Sequence, residues 1–252
     1  MFLSEAMASR HPTAANRVAA ILACAAAFGL FATSAVAGEA LSFTNESFFS
    51  HNGVILGAAS HRPIGSGFVV GTQKVVVTTW HVFQGASAQY NETNLLFLSG
   101  REVHSLRPMA ALPSFDLALF SPTPEVAGAP FYPGDFNKVN AGDTILYVGY
   151  DIRGPAPDKT NDFPIAYGRA TVESKALVNF HGSRIDALLF RGEAIPGYSG
   201  GAVYNTNMEI VGVIAGWGPQ KLNAAYSIAP IVELVSTPWF TNIQPRKAQL
   251  SR

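Results

Sequence analysis

Pro196-Gly197-Tyr198-Ser199-Gly200-Gly201 sets one serine among glycines. The pattern alone is a common turn. It also opens the strand-to-helix elbow of the α/β-hydrolases, in which the histidine follows the serine in the chain. The six histidines here are His11, His51, His61, His81, His104 and His181, so none follows Ser199. That fold is therefore excluded. The order Asp, His, Ser would need an aspartate ahead of His81 and behind the apolar N-terminal run. Only Glu39 and Glu46 are acidic there. The order His, Asp, Ser is left.

Two other segments supply the partners. Val75-Val76-Val77-Thr78-Thr79-Trp80-His81-Val82 reads as a strand ending in a histidine, and Phe115-Asp116-Leu117-Ala118-Leu119 places a lone carboxylate among apolar residues. A charge in such surroundings needs a partner. A serine hydroxyl is a poor nucleophile until a base takes its proton, and a neutral imidazole can do so and later return it. A buried carboxylate would fix the imidazole tautomer. Glycines beside the serine free backbone N–H groups to meet a developing oxyanion. Each segment has an ordinary structural explanation by itself; the three in this order are far more specific.

Working outward, the chain has 252 residues, 48% hydrophobic and 13% charged, with 23 Gly and 16 Pro. That composition excludes a disordered, highly charged chain. Lys+Arg and Asp+Glu number 17 each, so no basic excess exists to neutralise phosphates, and nucleic acid is not an expected partner. Short runs rich in Val, Ile, Phe, Thr and Tyr recur at 67–70, 75–79, 94–98, 117–120, 144–150, 166–173, 185–190, 202–204, 210–215 and 224–228. Turn residues separate them, so the pattern predicts an all-β sandwich or barrel. Long amphipathic helical periods are missing. One short C-terminal helix is predicted from Pro230 onward, through Ile231, Val232, Leu234 and Val235. The stretch 151–163 (DIRGPAPDKTNDF) reads as an exposed loop, and the Pro- and Gly-rich stretch 121–134 as a connection between two halves.

The N-terminal segment is set apart. Arg10 and Arg17 precede an apolar run, 18–37 (VAAILACAAAFGLFATSAVA), ending in Ala35-Val36-Ala37. This predicts a secretory signal at 1–37 and a secreted or periplasmic product. Twenty apolar residues also suffice to span a bilayer, so membrane contact is expected only if 18–37 is retained as an anchor. The sole cysteine, Cys24, lies in this run, so residues 38–252 contain no thiol and no disulfide. Thiolate-ligated metal sites are excluded there, and no histidines stand at metal-ligand spacing. No cofactor and no metal are expected.

The three motifs resemble those of the chymotrypsin-like (trypsin-fold) serine proteases. Gly65-Ser66-Gly67-Phe68-Val69-Val70 followed by VVVTTWHV resembles that family's histidine strand. FDLAL resembles its Asp-Leu-Ala-Leu, and PGYSGGAVY its nucleophile loop. Gly212-Val213-Ile214-Ala215-Gly216-Trp217-Gly218 resembles the strand lining its substrate cleft. The resemblance runs from about residue 42 to about 235. It implies two six-stranded antiparallel β-barrels, at about 42–125 and 135–235, within one protease domain at 38–252. The activity it implies is a serine endopeptidase acting on protein or peptide through His81, Asp116 and Ser199. Gly197 and Ser199 would donate the oxyanion N–H groups. Glu193, Gly216, Trp217, Gly218 and Ala224 would line the substrate site. Glu193 at the pocket base would favour Lys or Arg, whereas Ala224 argues for a shallow pocket and smaller side chains.

Two departures shape the expectation. Disulfides common in animal members are absent. Tyr198 stands where the family's acidic residue accepts a buried new N-terminus, so activation by that ion pair is not expected. The pattern is closer to bacterial secreted members, or to the membrane-anchored polyprotein-processing proteases of small positive-strand RNA viruses. Residues 200–252 are needed to finish a second barrel, which argues against a further peptide-binding domain of the Deg type. The rival classes are a catalytically inactive protease-fold binding module and an esterase using the same three groups.

Overall fold

The fold is seen in a computed structural model and is described for residues 50–90, 92–128, 131–152, 165–192, 196–217 and 222–236. The predicted signal or anchor at 18–37 and most of the predicted loop at 151–163 lie outside these. Among the described residues no helix is long and apolar enough to cross a membrane.

Among the described residues, twelve strands form two closed six-stranded antiparallel barrels, the architecture expected from the sequence. The first comprises β1 (Asn52–Gly57), β2 (Pro63–Val70), β3 (Val75–Thr79), β4 (Leu95–Ser99), β5 (Glu102–Leu112) and β6 (Leu117–Thr123), in the order β1-β2-β3-β6-β5-β4. The second comprises β7 (Thr144–Tyr150), β8 (Ile165–Phe180), β9 (Ser183–Phe190), β10 (Ala202–Tyr204), β11 (Ile210–Trp217) and β12 (Asn223–Ser227), in the order β10-β11-β12-β9-β8-β7. Closure leaves neither sheet with an unpaired edge.

Side chains of alternate residues fill each barrel, as the two-residue period of a strand requires. Ile55, Val69, Val76, Phe97 and Phe120 meet inside the first. Ile145, Val172, Phe190, Val203 and Ile214 meet inside the second. β1 is buried on both faces: Ile55 points into its own barrel, while Val54 and Leu56 pack with Leu98 against Tyr150 of β7. That second cluster seals the two barrels together.

The chain departs from the sequence expectation in four elements. A helix, α1 (Trp80–Tyr90), begins where β3 ends. Its sequence, WHVFQGASAQY, has small residues in place of a broad apolar stripe, so helical periodicity is weak. It is held by Val82 and Ala86, which plug the mouth of the first barrel. β5 escapes a strand reading because it contains Pro108; the proline is accommodated where the β5–β6 register shifts, between Pro108 and Ala110. β1, NGVILG, is short and glycine-bounded. β8 runs on to Phe180, because a bulge opposite β9 between Val172 and Ser174 redirects the strand without ending it. The terminal helix, α2 (Ala229–Val235), carries its proline in the first turn as expected.

The connection between barrels also adds to the core. Phe131 is buried and meets the Tyr204 ring at 5.2 Å, and Pro133 bridges to Ile210.

Candidate active site

His81 is the second residue of α1, so its position is set by the end of β3. Asp116 is delivered by the turn before β6, directly after a 3-10 helix spanning Pro113–Phe115. β3 and β6 are hydrogen-bonded neighbours, with Thr79 opposite Leu117. Adjacent strand ends therefore bring His81 and Asp116 together across 35 positions of sequence.

The contact is tight. Asp116 Oδ2 lies 2.7 Å from His81 Nδ1, and Oδ1 accepts the His81 backbone N–H at 2.9 Å. The Asp116 carbonyl accepts the Trp80 N–H at 2.9 Å. Asp116 is fully buried, whereas the His81 side chain is 31% exposed. The geometry holds the imidazole by one edge and leaves the other reachable. Asp116 adopts φ 54°, a left-handed conformation that aspartate tolerates better than most residues. The Phe180 ring, at the end of β8, lies 6.0 Å from the His81 ring and 5.9 Å from Tyr226. Burial, with a smaller contribution from the Asp116 charge, pushes the Tyr226 hydroxyl up to about 12.

Ser199 sits on the loop between β9 and β10. Its flanking glycines are forced by backbone approach. Gly197 and Gly200 take φ of 106° and 88°. A Cβ on Gly200 would collide with the Ser66 carbonyl, and one on Gly201 with the Val148 carbonyl. The loop is stitched to both barrels: Gly200 N–H donates to Ile214 O at 2.8 Å, Ile214 N–H to Gly201 O at 2.8 Å, and Ser66 N–H to Ser199 O at 2.8 Å. Among the described residues, no hydrogen bond engages the N–H groups of Gly197 and Ser199.

The structure brings Ser199 toward His81 without joining them. A Cβ built on Gly65 would touch both Val82, at 2.8 Å, and the Ser199 carbonyl, at 3.0 Å, so the loop and α1 flank the same glycine. The Ser199 hydroxyl donates to Ala215 O at 3.3 Å, and no hydrogen bond links it to His81. Its acceptor lies on the strand expected to line the cleft.

The remaining expected residues are placed unevenly. Gly216 (φ 143°) sits at a bulge in β11 and pairs with Ala224 of β12; Trp217 continues β11 opposite Asn223. Ala224 is buried among Ile185, Leu189 and Tyr226, where its methyl group fills space. Glu193 and Gly218 lie outside the described residues. Tyr198, in place of an acid, is buried in the second barrel's core beside Tyr147, with ring centres 6.4 Å apart. Sequence reasoning missed Ser66 and Phe180. Ser66 was visible only as part of a strand, and Phe180 lay beyond the expected end of its strand. Among the described residues no three His, Cys, Asp or Glu side chains cluster to hold a metal ion.

Comparison with curated proteins finds no match. Comparison with solved structures finds the same fold at low identity. The HtrA-type protease AlgW bound to a decapeptide aligns with TM-score 0.54 and 15% identity, covering 68% of this chain and 50% of that one. This chain thus spans half of AlgW's length in that structure. The inactive form of Rv3671c protease aligns with TM-score 0.58 and 18% identity, covering 74% and 88%. The MamO protease domain from Magnetospirillum magneticum aligns with TM-score 0.56 and 19% identity, covering 77% and 100%. A model of the trypsin-like peptidase domain matches residues 65–213, from the Gly65-Ser66-Gly67 strand through the serine loop into β11. That span exceeds half of the sequence and takes in all three motifs, and by it the chain belongs to the trypsin-like peptidase family.

Proposed function

We propose that the chain is a secreted serine endopeptidase, with Ser199 as nucleophile, His81 as general acid and base, and Asp116 as the orienting carboxylate. The observation that carries this reading is the 2.7 Å contact between His81 Nδ1 and a fully buried Asp116. A binding module has no need of a buried carboxylate locked onto a partly exposed imidazole.

With Nδ1–H donated to Asp116, the ring's Nε2 is an acceptor. When the Ser199 hydroxyl turns from Ala215 to Nε2, the imidazole takes its proton as Oγ attacks the scissile carbonyl. The carbonyl oxygen becomes an anion and meets the N–H groups of Gly197 and Ser199. The imidazolium, stabilised by Asp116, then protonates the leaving amine, and an acyl-enzyme remains on Ser199. Water, deprotonated by His81, releases the acid. The substrate backbone pairs along β11 at Ala215–Trp217. AlgW is seen with tripeptide and decapeptide bound, which supports an extended peptide as the ligand here. The signal at 1–37 would deliver the enzyme outside the cytoplasm; N-terminal sequencing of the purified protein reads whether it is removed.

The second reading, an inactive protease-fold binding module, draws on the Ser199–Ala215 hydrogen bond. A serine-directed fluorophosphonate separates the two. The wild type should be labelled and should hydrolyse casein or a peptide ester, faster as pH rises and His81 loses its proton. Ser199→Ala should lose both. An unlabelled wild type establishes the binding-module reading, and labelling that survives in Ser199→Ala puts the nucleophile elsewhere.

A further inference from the structure

Ser66 is a buried hydroxyl that the mechanism above does not use. It lies on β2, in the first barrel, 1% exposed, and every polar atom it has is engaged. Its Oγ donates to Gly197 O at 2.6 Å and accepts the Tyr150 N–H, at the end of β7, at 2.9 Å. Its N–H donates to Ser199 O at 2.8 Å, and its carbonyl accepts the Thr78 hydroxyl at 2.8 Å.

One residue thus holds the carbonyls at both ends of the segment Gly197-Tyr198-Ser199. The two N–H groups that would face the oxyanion belong to the end residues of that same segment. Their mutual orientation depends on four backbone torsions, φ and ψ of Gly197 and of Tyr198, and the Gly197 carbonyl turns with ψ of Gly197. Glycine at φ 106° does not restrain that torsion by itself. The Ser66 hydroxyl does, because turning the Gly197 carbonyl away breaks a short buried bond and leaves the carbonyl unpaired. The backbone bond from Ser66 N–H would survive any substitution, but the side-chain bond depends on the hydroxyl.

We infer that Ser66 is a positioning residue for the oxyanion-binding N–H groups, tying the serine loop to the seam between the two barrels. The inference rests on the reading of Ser199 as nucleophile. Its consequence is a loss confined to the transition state: substrate binding along β11 and the His81–Asp116 pair do not touch the Ser66 side chain.

The test uses the full chain as wild type, Ser66→Ala, Ser66→Cys and Thr78→Val. Ser66→Cys keeps the shape with a weaker donor and serves where the alanine variant does not fold. Thr78→Val removes a buried bond to the same residue, but to its carbonyl, and reports the merely structural cost. Each is assayed for peptide-ester hydrolysis, for fluorophosphonate labelling rate, and for inhibition by a peptide aldehyde, whose adduct places an oxyanion at the site. In Ser66→Ala, kcat and the labelling rate should fall by about 10–100-fold with KM within about two-fold. The aldehyde inhibition constant should rise by the factor that kcat/KM loses. Ser66→Cys should lose less, in the same direction, and Thr78→Val should stay within about three-fold at a comparable drop in Tm.

Unchanged kcat in the folded Ser66 variants, a loss carried by KM, or an equal loss in Thr78→Val would overturn the inference. A wild type that neither turns over the ester nor takes the probe removes the nucleophile reading and this inference with it. A wild type that reacts, beside Ser66 variants that react as fast, removes the inference alone.

Discussion

The Asp116 carboxylate accepts two hydrogen bonds with different consequences. Oδ1 takes the His81 backbone N–H and Oδ2 takes the ring Nδ1–H. Asp116→Asn separates them. Asparagine tolerates φ 54° as aspartate does, so the turn should survive. Its single carbonyl oxygen would stay on the backbone N–H, which turns the NH₂ group toward Nδ1. The imidazole must then accept at Nδ1 and carry its proton on Nε2, the wrong tautomer for a base facing Ser199. The expected result is a fall in kcat by about 10⁴-fold with Tm little changed. A variant within about ten-fold of wild type would show that the carboxylate does not set the tautomer. Asp116 was legible in the sequence because a charge in an apolar run demands a partner. Ser66 was not, because a serine between glycines in a strand has no such tension; three of its four bonds exist only once β2, β7 and the serine loop converge, and the fourth comes from Thr78 of β3.

Among the elements, the β8–β9 hairpin does most to shape the site from outside the triad. Its bulge carries β8 on to Phe180, whose ring lies tilted beside the His81 ring and meets Tyr226 edge-on. The inward-outward alternation runs unbroken from Ala170 to Phe180, but past Glu173 its inward positions begin with the small residues Ser174 and Ala176 while Leu177 stands on the exposed face, so the apolar signal fades although the strand continues. The same limit hid α1, whose anchor is the barrel mouth and not an apolar stripe of its own. The ordinary strands, by contrast, were readable from β-branched runs between turns, since closing a barrel only requires that such runs pair. Phe180→Ala should unpack one side of the imidazole while leaving both barrel cores intact. An aromatic contact of about 0.5–1.5 kcal/mol corresponds to a fall in kcat/KM of about two- to thirteen-fold. Peptide substrates of graded length would read it, and a loss that tracked Tm in place of activity would mean the ring serves the cleft wall alone.

At the scale of the whole molecule, two tyrosines and an asparagine lace the barrels together. Tyr150 of β7 donates its hydroxyl to Asn52 O of β1 at 2.9 Å. Tyr204 of β10 exchanges hydrogen bonds with the Asn52 side chain, at 2.9 and 3.0 Å. Burial pushes both phenols well above the usual tyrosine range; Tyr204, fully buried, gains nothing that offsets this beyond its bond from Asn52. The raised values fix the sign of a pH effect. In the unfolded chain each phenol loses its proton near pH 10, while in the folded chain each keeps it to higher pH. The folded state therefore binds more protons above pH 10. The stability these groups contribute is complete below that pH and declines as pH rises toward the folded values. Each tyrosine should cost about 1.4 kcal/mol per pH unit in that window. Tyr204→Phe keeps the ring and removes the titration. It should lose about 1–3 kcal/mol at pH 8, where the Asn52 side chain forfeits its hydroxyl partner, yet decline less steeply by one tyrosine's slope between pH 10 and 11.5. Guanidinium unfolding at a series of pH values measures both numbers in one experiment. Lysines titrate in the same window in both proteins, so the difference between the two slopes isolates Tyr204. Parallel slopes would mean that the seam between the barrels admits enough water to ionise the phenol in the folded state.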